Sequence, residues 1–438
     1  MNDKLYLGVG RSVITPRVGA NLYGYSPDVV SSSVHDDLTA TAFYFRQGDV
    51  EALMISTTVC SIENKLSDRV LGLLERELGI SRDRIILHAT HTHSGPITNG
   101  STVGWGELDL EYCENIFIPG IITAAKEAYA KPCAVAMGIA VGESLVGINR
   151  RSIRKDNKVQ LGQNPWGAFD PKMTVISFKD EEGRSVANII HYGCHGTASG
   201  KNTQISRDWS GVMTDLVEEL SGGVTAFFNG PEGDVGPRMP DGVSTVGLRD
   251  VRFAVQMGGV AAQDAARIYR GIKGYRTATL EVSRINIEIA LNKRIDLEVA
   301  EREYEKFKDE TINLKAAQGN HYRDVIESYK NGYVDKKTKT IGQTVIRIGD
   351  VAFVSFPYEL FSEIGMRIAM DSNIPHTLSL SNSNGSEGYF VTEDQICRGG
   401  YEVEMFKNGQ LQPYADNADH YAVVGTLEHL KKLNCKGE

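Results

Sequence analysis

Apolar positions along the chain fall into two alternating periods. Residues 38–46 (LTATAFYFR) and 52–58 (ALMISTT) form short apolar blocks split by Gly48-Asp49, the pattern of a β-hairpin. From 63 to 78 the spacing changes, and Leu66, Val70, Leu73, Leu74 and Leu78 share one stripe of an amphipathic helix. Ile85, Ile86, Leu87 and Ala89 then predict a buried strand running into His91-Thr92-His93-Ser94-Gly95-Pro96, where Gly95 and Pro96 end it. This places the histidines at the mouth of a strand, where open α/β sheets take their ligands.

The alternation continues as a helix over about 110–130, a strand at 133–142, a polar loop at 149–164, and strands at 172–178 and 186–192. A strand at 223–228 ends in Asn229-Gly230-Pro231-Glu232-Gly233-Asp234, followed by helical spacing over 246–270 and strand-like alternation over 276–290. Dense charge at helical spacing over 296–332 predicts one or two solvated helices projecting from the body, either a plain surface pair or an arm for a partner. Residues 351–356 (VAFVSF) read as a strand, Glu359 as the opening of a helix to about 370, and 377–381 as a strand reaching Asn382-Ser383-Asn384-Gly385. Compared with 52–95, this is the same order of strand, helix, and strand ending in a polar turn. The prediction is an α/β fold with strands between helices and pseudo-duplicated ends.

Composition narrows the function. The 438 residues carry 47 Lys+Arg against 56 Asp+Glu, a net charge of −9, which argues against a nucleic-acid partner because phosphate binding needs a dense basic face. No run approaches the ~18 apolar residues of a membrane span. The opening Met1-Asn2-Asp3-Lys4-Leu5 has no leader pattern, so a cytoplasmic protein is expected. The six cysteines are scattered without a CxxC pair, which predicts free buried thiols and no disulfide framework.

His88, His91 and His93 lie within six residues, and on an extended backbone His91 and His93 share a face that His88 does not. A His-x-His pair at a strand end suits a transition metal, and hydrogen-bonded core histidines are the other reading. A second strand ends in His191, Cys194 and His195, followed by Gly196-Thr197 and Ser206-Arg207-Asp208. His195, in the turn, is the better ligand candidate, and His191 the packed one. HExxH, GxSxG and P-loop patterns are missing, and Gly8-Val9-Gly10 reads as a turn. A metal site survives this elimination, still needing oxygen ligands.

The string Ala89-Thr90-His91-Thr92-His93-Ser94-Gly95-Pro96 resembles the signature of the neutral/alkaline non-lysosomal ceramidases. Matching stretches follow the family's order: Ile14-Thr15-Pro16, Val34-His35-Asp36-Asp37-Leu38, Ile148-Asn149-Arg150-Arg151, His195-Gly196-Thr197, Gly233-Asp234-Val235, Tyr358-Glu359-Leu360-Phe361 and Gly388-Tyr389. The resemblance implies one catalytic domain over 1–438, built of two twisted mixed β-sheets packed together and flanked by helices. It also implies one zinc ion per chain, held by His91, His195, Glu359 and Tyr389. Where the family continues Gly-Asp-Val with a catalytic serine, this chain has Gly236. The length is also expected to leave no room for the family's further C-terminal β-domain.

The expected activity is a zinc-dependent hydrolase cleaving a C–N amide bond of a small or acylated substrate by metal-activated water. An esterase or lactonase on the same site, or an inactive small-molecule-binding relative, are the alternatives. His93 is the candidate to stabilise the oxyanion or shuttle a proton, and Asp208 and Asp234 are candidates to orient a ligand histidine. Arg150, Arg151 and Arg238 would bind a carboxylate or phosphate of the substrate, or else form loop ion pairs. Homo-oligomerisation is left open.

Overall fold

In the computed structural model the two periods assemble into one motif used three times. The structure describes residues 4–25, 28–100, 106–239, 250–311, 313–408 and 410–434. Residues 1–3 of the opening, 246–249 of the helix expected at 246–270, and Cys435 therefore lie outside the described residues.

In the first copy β1 (Tyr6–Val13), β2 (Thr39–Gln47) and β3 (Val50–Thr57) form an antiparallel meander. The chain crosses over through α1 (Asn64–Leu78), returns as β4 (Ile85–Ala89) parallel to β3, and leaves through α2 (Ile118–Ala130). The second copy repeats this with β5 (Ala136–Glu143), β6 (Lys172–Lys179), β7 (Ser185–Tyr192), α3 (Asp208–Ser221), β8 (Val224–Asn229) and α4 (Val251–Arg270). Here too the first three strands pair antiparallel and the last is parallel to the third. The third copy begins at β9 (Leu280–Ala290), which is followed by two inserted helices, α5 (Leu297–Phe307) and α6 (Asn313–Lys330). It continues with β10 (Thr338–Ile348), β11 (Val351–Ser355), α7 (Ser362–Asp371), β12 (His376–Leu380) and α8 (Ala418–Asn434). Its pairing is the same.

Side chains alternate across each strand, so every sheet has two buried faces to fill. In β2, Ala40, Ala42 and Tyr44 face α1 and α2, while Phe43 and Phe45 point the other way. There they meet Phe178 and Phe228 of the second sheet and Ile346 and Phe353 of the third in one shared core. Each sheet's outer face carries its own helix pair: α1 and α2, α3 and α4, α7 and α8.

The expected mixed α/β class, with helices flanking twisted sheets, is what folds, but the expected two packed sheets are three, one for each copy of the motif. The middle copy escapes the sequence pattern because the buried face of its crossover α3 includes Ser210, Gly211 and Thr214, small or polar residues that do not read as an apolar stripe. Gly8-Val9-Gly10 is not a turn but the middle of β1. A Cβ at Gly8 would lie 1.8 Å from the Ala128 carbonyl oxygen and one at Gly10 2.2 Å from that of Ala124, so these glycines let the backbone of α2 sit directly on the strand. Glu359 does not open a helix: Glu359–Leu360 is a short strand parallel to Tyr389–Phe390, and α7 starts at Ser362.

The charged helices α5 and α6 pack on each other around Ala300, Val325 and Ile326. They also touch the body, where Gln318 Nε2 donates to Glu404 Oε2 (3.4 Å) on the helix Tyr401–Asn408. Of the described cysteines, Cys60, Cys113 and Cys194 are buried, and Cys133 and Cys397 are exposed. Among the described residues no helix is long and apolar enough to cross a membrane.

Candidate metal centre

The three parallel strand pairs all point their C-terminal ends at one place, and each copy delivers one side chain there. His91 follows β4 by two residues, His195 follows β7 by three, and Glu359 follows β11 by four. Glu359 Oε2 lies 3.3 Å from His91 Nε2 and 3.2 Å from His195 Nε2. Both imidazoles are buried, and the side chain of Glu359 is 13% exposed.

The backs of both rings are tied down. His91 Nδ1 donates to the Cys60 carbonyl at 2.8 Å, and His195 Nδ1 donates to the Glu232 carbonyl at 2.7 Å. A proton on Nδ1 leaves each Nε2 as a bare lone pair aimed at the carboxylate. His195 Nε2 and Glu359 Oε2 have no hydrogen-bond partner among the described residues. Buried lone pairs facing each other are costly unless a cation sits between them, and two imidazoles with a carboxylate is a donor set that suits zinc. The residues present thus fit a divalent metal. His91 itself has φ of 70°, an unfavourable backbone for a side chain of its size and a mark of local strain.

Cys60, His91 and His93 also gather, but the Cys60 thiol is 3.6 Å from His91 Nδ1, the nitrogen already committed to a carbonyl. His93 Nε2 lies 3.2 Å from His91 Nε2 at the edge of the cluster. Burial, reinforced by His91 and His195, holds His93 well below the usual histidine range, so it is neutral.

Main-chain pairing of Glu359 with Tyr389 places that phenol beside the carboxylate. Arg150 Nη2 donates to Tyr389 Oη at 2.9 Å, and Arg150 Nε to Glu402 Oε1 at 2.9 Å. Burial pushes Tyr389 well above the ordinary phenol, with Arg150 opposing it. The Tyr401 ring lies 5.7 Å from that of Tyr389. A Cβ at Gly236 would stand 3.5 Å from Arg150 Cβ, an ordinary contact, so this position faces Arg150 with room for a side chain.

The other arginines are engaged elsewhere. Arg151 uses all three guanidinium nitrogens inside the protein, on Gln395 Oε1, Glu402 Oε2 and the Gly399 carbonyl. Arg238 donates to the Leu145 and Gly147 carbonyls, on the rim of a separate cavity of about 670 Å³ lined by Val146, Met239, Phe253 and Met257. Neither aspartate bonds to a ligand imidazole. Asp208 accepts from the Ala198 and Ser199 amides, fixing the loop after His195, whose carbonyl takes Trp209 Nε1. Asp234 accepts from the Ser362 amide at 2.7 Å and so caps α7. His88 and His191 are core histidines: His88 Nε2 accepts from the Asn229 amide, and His191 Nε2 bonds the Ser379 carbonyl.

Glu232, Asn382 and Glu402 escaped the sequence reading as site residues. Glu232 and Asn382 stand in Gly-containing turns after strands, which offers a signal of position but not of role. Glu402 has no such marker.

The family model for the N-terminal region of neutral/alkaline non-lysosomal ceramidases matches residues 5–246. Neutral ceramidase A of Dictyostelium discoideum is 29% identical over 259 residues, covering 54% of this chain and 36% of that protein. Neutral ceramidase of Pseudomonas aeruginosa is 25% identical over 287 residues, covering 59% of this chain and 42% of that protein. In both comparisons the chain spans under half the relative's length. The crystal structure of the neutral ceramidase from Pseudomonas aeruginosa superposes with a TM-score of 0.73 over 98% of this chain and 74% of that one, at 18% identity, which establishes a shared fold.

Proposed function

The chain belongs to the neutral/alkaline non-lysosomal ceramidase family, and from that premise we propose that it is a zinc-dependent hydrolase of C–N amide bonds in a small or acylated substrate. The observation that carries this reading is the convergence of His91 Nε2, His195 Nε2 and Glu359 Oε2, with both Nδ1 atoms tied to carbonyls. His91, His195 and Glu359 would hold the metal, with Tyr389 as the fourth ligand. Zinc bound there would supply Lewis-acid polarisation of the scissile carbonyl and acidify a water molecule.

The chain's own residues do the rest. Neutral His93 presents Nε2 at the edge of the cluster, where it can take a proton from the attacking water and return it to the leaving amine. Arg150 holds the Tyr389 hydroxyl and brings a fixed positive charge to where negative charge develops on the carbonyl oxygen. Gly236 offers no nucleophile beside Arg150, in keeping with attack by water.

Purified protein is expected to carry about one zinc per chain, and His91→Ala to lose both zinc and activity, measured by elemental analysis and turnover. Full zinc occupancy in His91→Ala would remove that residue from the site. A matched panel of amides and esters or lactones decides the bond: faster turnover of the ester members would make the enzyme an esterase. Bound zinc with no turnover of any acyl substrate would make it a binding protein.

A further inference from the structure

Beside the metal set stands a carboxylate to which the mechanism gives no task. Glu232 lies three residues beyond β8 and is fully buried. Its main-chain carbonyl accepts from His195 Nδ1, and its Oε1 accepts from Asn382 Nδ2, at 2.7 Å each. Asn382, two residues beyond β12, packs that same amide nitrogen 3.3 Å from His91 Nδ1, a contact on the side of the ring turned away from Glu359 and not a hydrogen bond, because the Nδ1 proton goes to the Cys60 carbonyl. Asn382 Oδ1 has no hydrogen-bond partner among the described residues, while the Ser381 side chain also reaches the Glu232 carboxylate. Asn382 also has φ of 46°, so it and His91 are two touching residues both held in the left-handed region.

We propose that Glu232, acting with Asn382, is a positioning residue behind both ligand imidazoles: its main-chain carbonyl holds His195 Nδ1, and its carboxylate fixes the Asn382 amide that packs against the back of the His91 ring. The arrangement draws on two different copies of the motif. Glu232 follows the last strand of the second copy and Asn382 the last strand of the third, while His91 follows the last strand of the first. The Glu232–Asn382 hydrogen bond therefore joins two strand ends, and the packed Asn382 amide brings them against the third, which carries His91. Residues that orient metal-bound histidines from outside typically change metal affinity by about 10–100-fold when removed.

The inference rests on His91, His195 and Glu359 being the ligands, and the experiment separates the two claims. Zinc affinity is measured by chelator competition, and the cobalt(II)-substituted absorption band reports ligand geometry. Thermal melting verifies folding. Glu232→Ala is expected to weaken zinc binding by about 10–100-fold and to alter the cobalt band. Glu232→Gln keeps an acceptor for Asn382 and is expected to restore most of the affinity. Asn382→Ala should weaken binding in the same range, and the Glu232→Ala/Asn382→Ala double variant should be no weaker than Glu232→Ala alone, because the two act as one unit. Wild-type zinc affinity and an unchanged cobalt band in Glu232→Ala or Asn382→Ala would overturn the proposal, as would additive losses in the double variant. If Glu232→Ala does not fold, Asn382→Ala and Glu232→Gln decide by the same criteria. His91→Ala run alongside keeps the claims apart: retained zinc there sinks the ligand reading, whereas lost zinc there with wild-type affinity in Asn382→Ala sinks only the positioning role.

Discussion

Arg150 shows how far a single residue could be read in advance. As one of three arginines in polar loops it was indistinguishable from Arg151 and Arg238 by sequence. The structure separates them by what each guanidinium touches: Tyr389 and Glu402 for Arg150, Glu402, Gln395 and a main-chain carbonyl for Arg151, two main-chain carbonyls for Arg238. Arg150→Ala is therefore expected to cost about 10²-fold in kcat while zinc content stays at the wild-type level, because it removes a donor near the developing charge and no ligand. Steady-state kinetics with metal analysis on the same preparation checks this, and a loss of zinc would move Arg150 into the metal site. His91 and His195 were legible because histidine at a strand mouth is chemically specific. Glu232 was not, since a glutamate in a Gly-rich turn has many uses and its role arises from contacts with His195 and Asn382, far away in sequence.

The short strand Glu359–Leu360 and the helix α7 behind it show the same limit for elements. A helix was expected to open at Glu359, but the preceding chain pairs with Tyr389–Phe390, and the helix begins only where Asp234 caps the Ser362 amide. The cap comes from another copy of the motif, so no local pattern announces it. Burial pushes Asp234 up to about 6, against about 3.9 in an unfolded chain. The native state thus binds the extra proton between about pH 4 and 6, and this group's contribution to stability is fully present below about pH 4 and lost as pH rises through 6. Asp234→Asn, which keeps an acceptor for the cap, is expected to remove that decline. Melting temperatures between pH 4 and 7 should therefore shift in favour of the variant as pH rises, and a constant difference across the range would count against a raised Asp234.

Taken whole, the molecule is three copies of one motif sharing a core, with the candidate metal centre where their strand ends meet. Phe228 sits in the shared core against Phe43 of the first sheet and Phe353 of the third. Phe228→Ala is expected to destabilise the protein by about 3–5 kcal/mol in urea unfolding, because a cavity at a junction of three sheets cannot collapse without moving all of them. A loss below about 1 kcal/mol would show that the junction relaxes independently. The end copies were legible as a repeated strand, helix and strand because α1 and the strands around it have strong periods. The middle copy was hidden because small and polar residues, Ser210, Gly211 and Thr214, stand on the buried face of α3.

By itself the sequence determined the strand and helix periods, the placing of His91 and His195 at strand mouths, and a family signature specific enough to imply zinc. These are local properties, set by side-chain spacing and by residue chemistry within a few positions. Only the tertiary structure decided that Glu359 faces both imidazoles, that Arg150 alone of the three arginines reaches Tyr389, and that Glu232 and Asn382 stand behind the two imidazoles. Those relations join residues from 37 to 291 positions apart, and they exist because three sheets bury their inner faces against one another and so bring their strand ends to a common point.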